Sequence, residues 1–354
     1  MIYLQKIKNC LRGANLVHTF MKSLVSERKI PGGVLIIQQQ HTRIMTQSFG
    51  AYSAANLSTQ QITTNTLFDL ASLTKVVATL PATLLLLSRN AIKLTDTVQT
   101  FLPDFKYPTV NIQHLLQHSS GLVADLDPPV KRHHQRDIMG EVLSAGVITQ
   151  PGKQVLYSDL SMILLGKIIE EVSGQSLDYF VDREIAKPWG MHDTQYKLSK
   201  EQQMQAASTE KIESKFVQGI VHDEKALLLQ EVSGSAGLFS CAEDLATFAQ
   251  YWLGITQQSV IPFDWMTLAY TNIIENRGLG FEVWNGSDVL KCFGRGWTKG
   301  SFGHTGFTGT SIWMDPVKKA FVILLTNAVH YGRDRGFMEI REKIHTMIFE
   351  ELIT

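Results

Sequence analysis

The chain has 354 residues, 33 Lys+Arg balanced by 33 Asp+Glu, with 44% hydrophobic and 19% charged residues. That length suits one large or two ordinary domains, and that composition buries a sizeable core, which excludes a largely disordered chain. A net charge of zero supplies no overall field for DNA, RNA or an anionic membrane, so none of these is expected as the main partner.

Taken in chain order, the N-terminus is positive but lacks the apolar run and small-residue cleavage site of a secretory leader, which predicts a cytoplasmic protein, or a secreted one if a leader has been trimmed. Residues 14–30 read as an amphipathic helix ending near Pro31-Gly32-Gly33. Residues 34–40 and 43–49 are β-type runs joined by a polar turn, a hairpin signal. From about residue 66 the texture turns helical. Residues 71–87 are apolar and long enough for a buried helix, which Pro81 should kink or divide. The apolar run 76–87 is too short to span a membrane. Further helical patterns cover 112–117, 138–144, 160–172, 176–185 and 242–253, and the basic cluster 131–136 reads as a solvated loop. Short β-branched or aromatic runs return at 278–284, 289–293, 310–314 and 320–326, before a last helix at 337–352. Strands at both ends and helices between predict an α+β chain. Its antiparallel sheet, flanked by helices, is built from 1–65 and 231–354, with a mainly helical domain, 66–230, inserted.

Several chemistries fall away on spacing. Cys10, Cys241 and Cys292 are too far apart for a disulfide framework or a CxxC pair. His114 and His118 stand at i, i+4, but no third ligand accompanies them, so no metal is expected. Gly146…Gly152-Lys153 fails as a P-loop, no GxSxG elbow exists, and Gly278-Leu279-Gly280 lacks the third glycine of a dinucleotide site. What remains is Ser72-Leu73-Thr74-Lys75, an SxxK motif. On a helix it puts serine and lysine on one face, and burial should lower the lysine's proton affinity enough to make it a base near neutrality. The same spacing at Ser26…Lys29 and Ser208…Lys211 lies in polar surroundings, whereas Ser72 opens an apolar segment. Tyr157-Ser158-Asp159 before a buried helix can aim a phenol and a carboxylate into a cleft, with Ser158 or Asp159 doubling as N-cap. In Gly303-His304-Thr305-Gly306-Phe307-Thr308-Gly309 the glycines admit a substrate backbone, and His304 and Thr305 offer donors.

These three elements, in this order, resemble the serine β-lactamase and penicillin-binding protein superfamily, closest to its class C β-lactamase-like branch of D,D-peptidases, D-aminopeptidases and esterases. The likeness runs over roughly residues 20 to 350 and extends to 66–71, 112–122, 188–194, 221–223 and 234–240. It implies a β-lactamase/transpeptidase-like fold with the site in the cleft between the two parts. It implies an acylated nucleophile, Ser72, and Lys75 sharing its proton. Tyr157 would be general base and acid as a part-time phenolate, and the N–H groups of Ser72 and Phe307 the oxyanion hole. Asp159, His304, Thr305 and Gly306 would bind substrate: a β-lactam, a D-amino-acid peptide or an ester, with no cofactor. Two positions depart from the family pattern: Asp159 replaces the usual Asn, and His304 the lysine common in β-lactamases. Both shift weight from a penicillin-destroying enzyme toward an amidase, peptidase or carboxylesterase, and they leave a non-hydrolytic peptide- or penicillin-binding sensor as the alternative from another class. Oligomeric state is not legible.

Overall fold

The computed structural model describes residues 2–56, 58–256, 259–286, 291–333 and 336–353. Helix α1 (Ile2–Ser26) leads into strands β1 (Gly32–Gln39), β2 (Thr42–Ser53) and β3 (Thr59–Gln61). The other end of the chain supplies β4 (Glu282–Val283), β5 (Phe302–Thr305), β6 (Ser311–Asp315) and β7 (Ala320–Thr326). Together they form one seven-stranded sheet in the order β3-β2-β1-β7-β6-β5-β4. β1 and β7 pair antiparallel from Gly33↔Thr326 to Gln39↔Ala320, which zips the two ends of the chain together at the sheet centre.

Both faces of the central strands are buried, so their middles, 34–37 and 320–325, are apolar instead of alternating with polar residues. Alternation decides only which core each side chain joins. Val34, Ile36, Ile323 and Leu325 face the large core shared with the helical middle of the chain. Leu35, Ile37, Val322 and Leu324 face a second core closed by α1 and the C-terminal helix Phe337–Leu352.

The segment from Ala71 to Ser88 is not one regular helix. A 3-10 turn (Ala71–Leu73) is followed by a π-helical stretch (Lys75–Thr79) and then by α2 (Leu80–Ser88). Pro81 sits in the first turn of α2, where its missing N–H is tolerated. The segment is long and apolar enough to cross a membrane, but 89% of it is packed inside the protein. Five buried leucines of α2, at about 2 kcal/mol each, contribute roughly 10 kcal/mol gross, which helps offset seating a lysine beneath them.

Other expectations need correction. The first helix begins at Ile2, well before residue 14. The run 278–284 yields only the two-residue β4, and of 289–293 the described part, Lys291–Phe293, is a 3-10 turn. β5 overlaps the glycine-rich segment 303–309 and lies outside every expected strand. The pattern 176–185 divides into an α-turn (Leu177–Val181) and a π-turn (Asp182–Ala186).

Candidate active site

Ser72 owes its position to the residues just before it. Ala71 takes a left-handed φ of 46°, a strained conformation for a residue with a Cβ. The fully buried Asp69 holds it there: Oδ1 accepts the Ala71 N–H at 2.8 Å, and Oδ2 accepts the His222 N–H at 2.7 Å. Thr308 and Thr310 donate to the carbonyls of Asp69 and Leu70, which stitches the end of β5 onto the same segment. Gly306 is obligatory in that seam, since a Cβ there would collide with the Thr310 hydroxyl and the Leu70 carbonyl. Ser72, Tyr157, His304, Thr305, Gly306 and Phe307 thus line one cleft of about 500 Å3, together with three arginines, Arg277, Arg333 and Arg341.

Lys75 is fully buried and donates to Ser72 Oγ at 2.9 Å and to the Ser235 carbonyl at 2.8 Å. Its third contact is the Asp159 carboxylate, Nζ to Oδ1 2.8 Å. Two of its three N–H bonds are thus taken by hydrogen bonds, and the Asp159 oxygen faces the ammonium as an ion pair without hydrogen-bond alignment. The expectation of a lowered proton affinity is therefore corrected. Burial pulls the Lys75 pKa down, but the Asp159 carboxylate and Tyr157 outweigh it, and the net shift is upward. Tyr157 does not rest as a phenolate either: burial raises its pKa, and the nearby Lys75 only partly offsets this. Its ring packs 4.5 Å from that of His118 and 5.8 Å from that of His304, with the Lys75 ammonium 5.2 Å and the Arg277 guanidinium 5.5 Å from its centroid.

Asp159 opens helix α3 (Asp159–Ser173). Ser158 occupies the N-cap position, but its hydroxyl donates to the Val123 carbonyl instead of capping. Asp159 carries a lowered pKa: burial works against the charge, but Lys75 and Lys225 hold it ionised. His304 is held neutral, its pKa pushed down to about 3 by burial and by Arg277. Its Nδ1 lies 2.8 Å from the Thr305 carbonyl, which can only accept, so Nδ1 carries the ring proton. Nε2 is then a bare acceptor without a partner among the described residues. His304 therefore offers no donor to a substrate carboxylate, contrary to expectation.

The cations of the cleft went unremarked in the sequence. Arg277 is paired with Glu282 at 3.1 Å, and Arg333 with Glu210 and Glu224. Arg341 donates to the Gly306 carbonyl at 3.1 Å and makes no ion pair among the described residues. One signal could have found it: Arg341 shares the apolar stripe of its helix with Ile344, His345 and Ile348, spaced i, i+3, i+4, i+7.

The paired histidines point to other work. His114 Nδ1 accepts the Asn111 N–H, and His118 Nδ1 faces the backbone of Ser158. Among the described residues Asp193, Cys241 and Asp244 lie close enough to share an ion. However, Asp244 accepts from Asp193 N–H and Thr194 Oγ1, and burial pushes the Cys241 thiol up to about 12. In the cluster 131–136, Arg132 donates to the Val221 and His222 carbonyls and Arg136 to Glu141, so two of its three fixed cations serve the fold.

Known proteins resemble the chain over most of its length. The family model described as Beta-lactamase matches residues 14–345. A "Putative D-alanyl-D-alanine carboxypeptidase" of Escherichia coli K12 is 31% identical over 342 residues, covering 85% of this chain and 79% of the relative. An N-acetylmuramyl-L-alanine amidase of Bacillus subtilis 168 is 32% identical over 343 residues, covering 85% and 78%. Among solved structures, EstCE1, a hydrolase with promiscuous acyltransferase activity, superposes with a TM-score of 0.79 at 20% identity, covering 95% of this chain and 99% of EstCE1.

Proposed function

The chain belongs to the β-lactamase family of serine hydrolases, and within it we propose an amidase of the D-alanyl peptidase type that cleaves through an acyl-enzyme on Ser72. Its fold is the β-lactamase/transpeptidase type, an antiparallel sheet flanked by helices. The observation that carries the proposal is the pairing, across one cleft, of a lysine-bound serine with an arginine that has no carboxylate partner among the described residues. A peptide whose C-terminal carboxylate reaches Arg341 lays its last amide toward Ser72.

The resting site holds Lys75 as ammonium, Tyr157 as phenol and Ser72 as hydroxyl. The competent form has lost the Lys75 proton. Ser72 Oγ then attacks the amide carbon while its proton moves to Nζ. The carbonyl electrons pass to oxygen, held by the N–H groups of Ser72 and Phe307, donors worth about 3 kcal/mol of barrier each in such sites. Collapse breaks the C–N bond. The leaving nitrogen takes the Tyr157 proton, and Tyr157 recovers one from Lys75. Water attacks the ester in the reverse order and frees Ser72. Neutral His304 leaves Arg341 to supply the anion contact at this end of the cleft.

The test is covalent labelling followed by turnover. A fluorophosphonate should label the protein once, and Ser72→Ala should abolish the label. A D-alanyl-D-alanine peptide should be hydrolysed in preference to nitrocefin and p-nitrophenyl acetate. Ester turnover alone would replace the reading with a carboxylesterase, and stable acylation without turnover with a sensor.

A further inference from the structure

Asp159 stands where a neutral Asn is usual, and its two oxygens are divided between two lysines. Oδ1 meets Lys75, and Oδ2 lies 3.2 Å from Lys225 Nζ. Lys225 comes from the short helix Glu224–Leu228 and is buried, its side chain only 7% exposed. Two further carboxylates face its ammonium: Asp125 at 2.9 Å and Asp223 at 3.4 Å. Burying a second lysine beside a catalytic one is costly unless its charge is needed there. The need is visible. An ionised Asp159 paired with Lys75 alone would bind that proton firmly, and Lys75 would seldom be free to take one from Ser72.

We propose that Lys225 is a positioning residue of the active site: by drawing Oδ2 of Asp159 to itself, it limits the hold of that carboxylate on the Lys75 proton. The Asp159–Lys225 pair thereby does the work of a neutral side chain at this position. The groups facing Lys75 are Ser72, Tyr157, Asp159 and the carbonyl of Ser235. Those facing Lys225 are Asp125, Asp159 and Asp223. His118 and His304 also lie within reach of the Lys75 charge, and burial pushes both down, to neutral rings. Removing Lys225 takes away the second cation that faces Asp159 and leaves Lys75 as its remaining ion-pair partner, so the Lys75 proton is held more tightly. This inference rests on the reading of Ser72 as nucleophile and Lys75 as its base.

The experiment is the rate of fluorophosphonate labelling as a function of pH, for the intact chain and its Lys225→Met, Lys225→Arg, Asp159→Asn and Asp159→Asn/Lys225→Met variants. The rate of the unmodified protein rises with pH as Lys75 loses its proton. In Lys225→Met the midpoint of that rise should move up by about one pH unit, a roughly tenfold loss of rate below it. Lys225→Arg should restore most of the original profile, and in the Asp159→Asn background the same Met substitution should shift the midpoint far less. A uniformly slower rate with an unmoved midpoint, or an equal shift with and without Asp159, overturns the inference. If Lys225→Met does not fold, the Arg variant and the double variant decide the question. Labelling that survives Ser72→Ala removes the underlying reading and this inference with it. Labelling lost in Ser72→Ala with an unmoved Lys225→Met midpoint removes the inference alone.

Discussion

Lys75 and Asp159 meet as a contact ion pair, Nζ to Oδ1 2.8 Å, with the ammonium fully buried and also bound to Ser72. The carboxylate and Tyr157 raise the proton affinity of a lysine that burial alone would lower. The base-competent fraction therefore grows as pH rises, and the acylation rate should climb toward alkaline pH. Asp159→Asn removes the stabilising charge and leaves Lys225 to repel Lys75, so the midpoint should move down by about one pH unit or more. The check is the labelling rate of wild type and Asp159→Asn across the alkaline range. An upward move contradicts the assigned direction.

Asp69 makes a second, separable prediction. Its oxygens accept the Ala71 and His222 N–H groups, and it has no exposed surface. In Asp69→Asn one of those oxygens becomes a donor facing an N–H, which leaves a buried donor unsatisfied at a cost of about 2–3 kcal/mol. Urea unfolding should show that loss. Because the strained Ala71 precedes Ser72, kcat should fall while KM changes little.

How much of this was legible depended on distance along the chain. Ser72 and Lys75 could be read because one helical turn brings them together and the apolar residues after them announce burial. Tyr157 and His304 could be read only as parts of a recurring pattern. The direction of the Lys75 shift was not legible, since it turns on Asp159, a partner 84 positions away, and on Tyr157. Arg277 carries no sequence signal of its burial, and Arg341 carries only its place on the apolar stripe of the last helix. β5 is hidden because Gly303 stands within it where a β-branched residue would mark a strand, and Gly306 follows directly after it. The glycines are there for close approach: Gly303 to the Trp313 ring, Gly306 to the Leu70 carbonyl. Pairing across β1 and β7 was foreseen in kind, because two apolar runs at opposite chain ends need each other, but their register came only from the fold.

Arg341 separates charged from neutral substrates. It lines the cleft, and no carboxylate pairs with it among the described residues. Arg341→Gln should cost a substrate with a terminal carboxylate about 2 kcal/mol, roughly 30-fold in kcat/KM, mostly through KM. A neutral ester such as p-nitrophenyl acetate should stay within about twofold. Equal losses on both substrates would assign Arg341 to the structure of the cleft wall instead.

Glu210 predicts an acid limit to stability. It lies 3.1 Å from His222 Nε2 and is clamped by Arg333, beside the ring of Phe307 that stacks on His222. Burial pushes its pKa up, but His222 and Arg333 outweigh that and bring it down to about 2. A carboxylate whose folded pKa lies below its unfolded value adds stability that is complete above the unfolded pKa, near 4.5, and is lost as pH falls through the folded one. With part of the pair open to solvent, the contribution at neutral pH is on the order of 1–2 kcal/mol. Glu210→Gln should therefore be less stable than wild type by that amount in urea unfolding at pH 7. The gap should narrow below about pH 4.5 and close only as pH falls through about 2, where Glu210 of the folded protein takes up its proton and both proteins come to carry an uncharged side chain at this position. A gap that persists unchanged at pH 2 would mean that packing, not the ion pair with Arg333 and the contact with His222, is what Glu210 contributes.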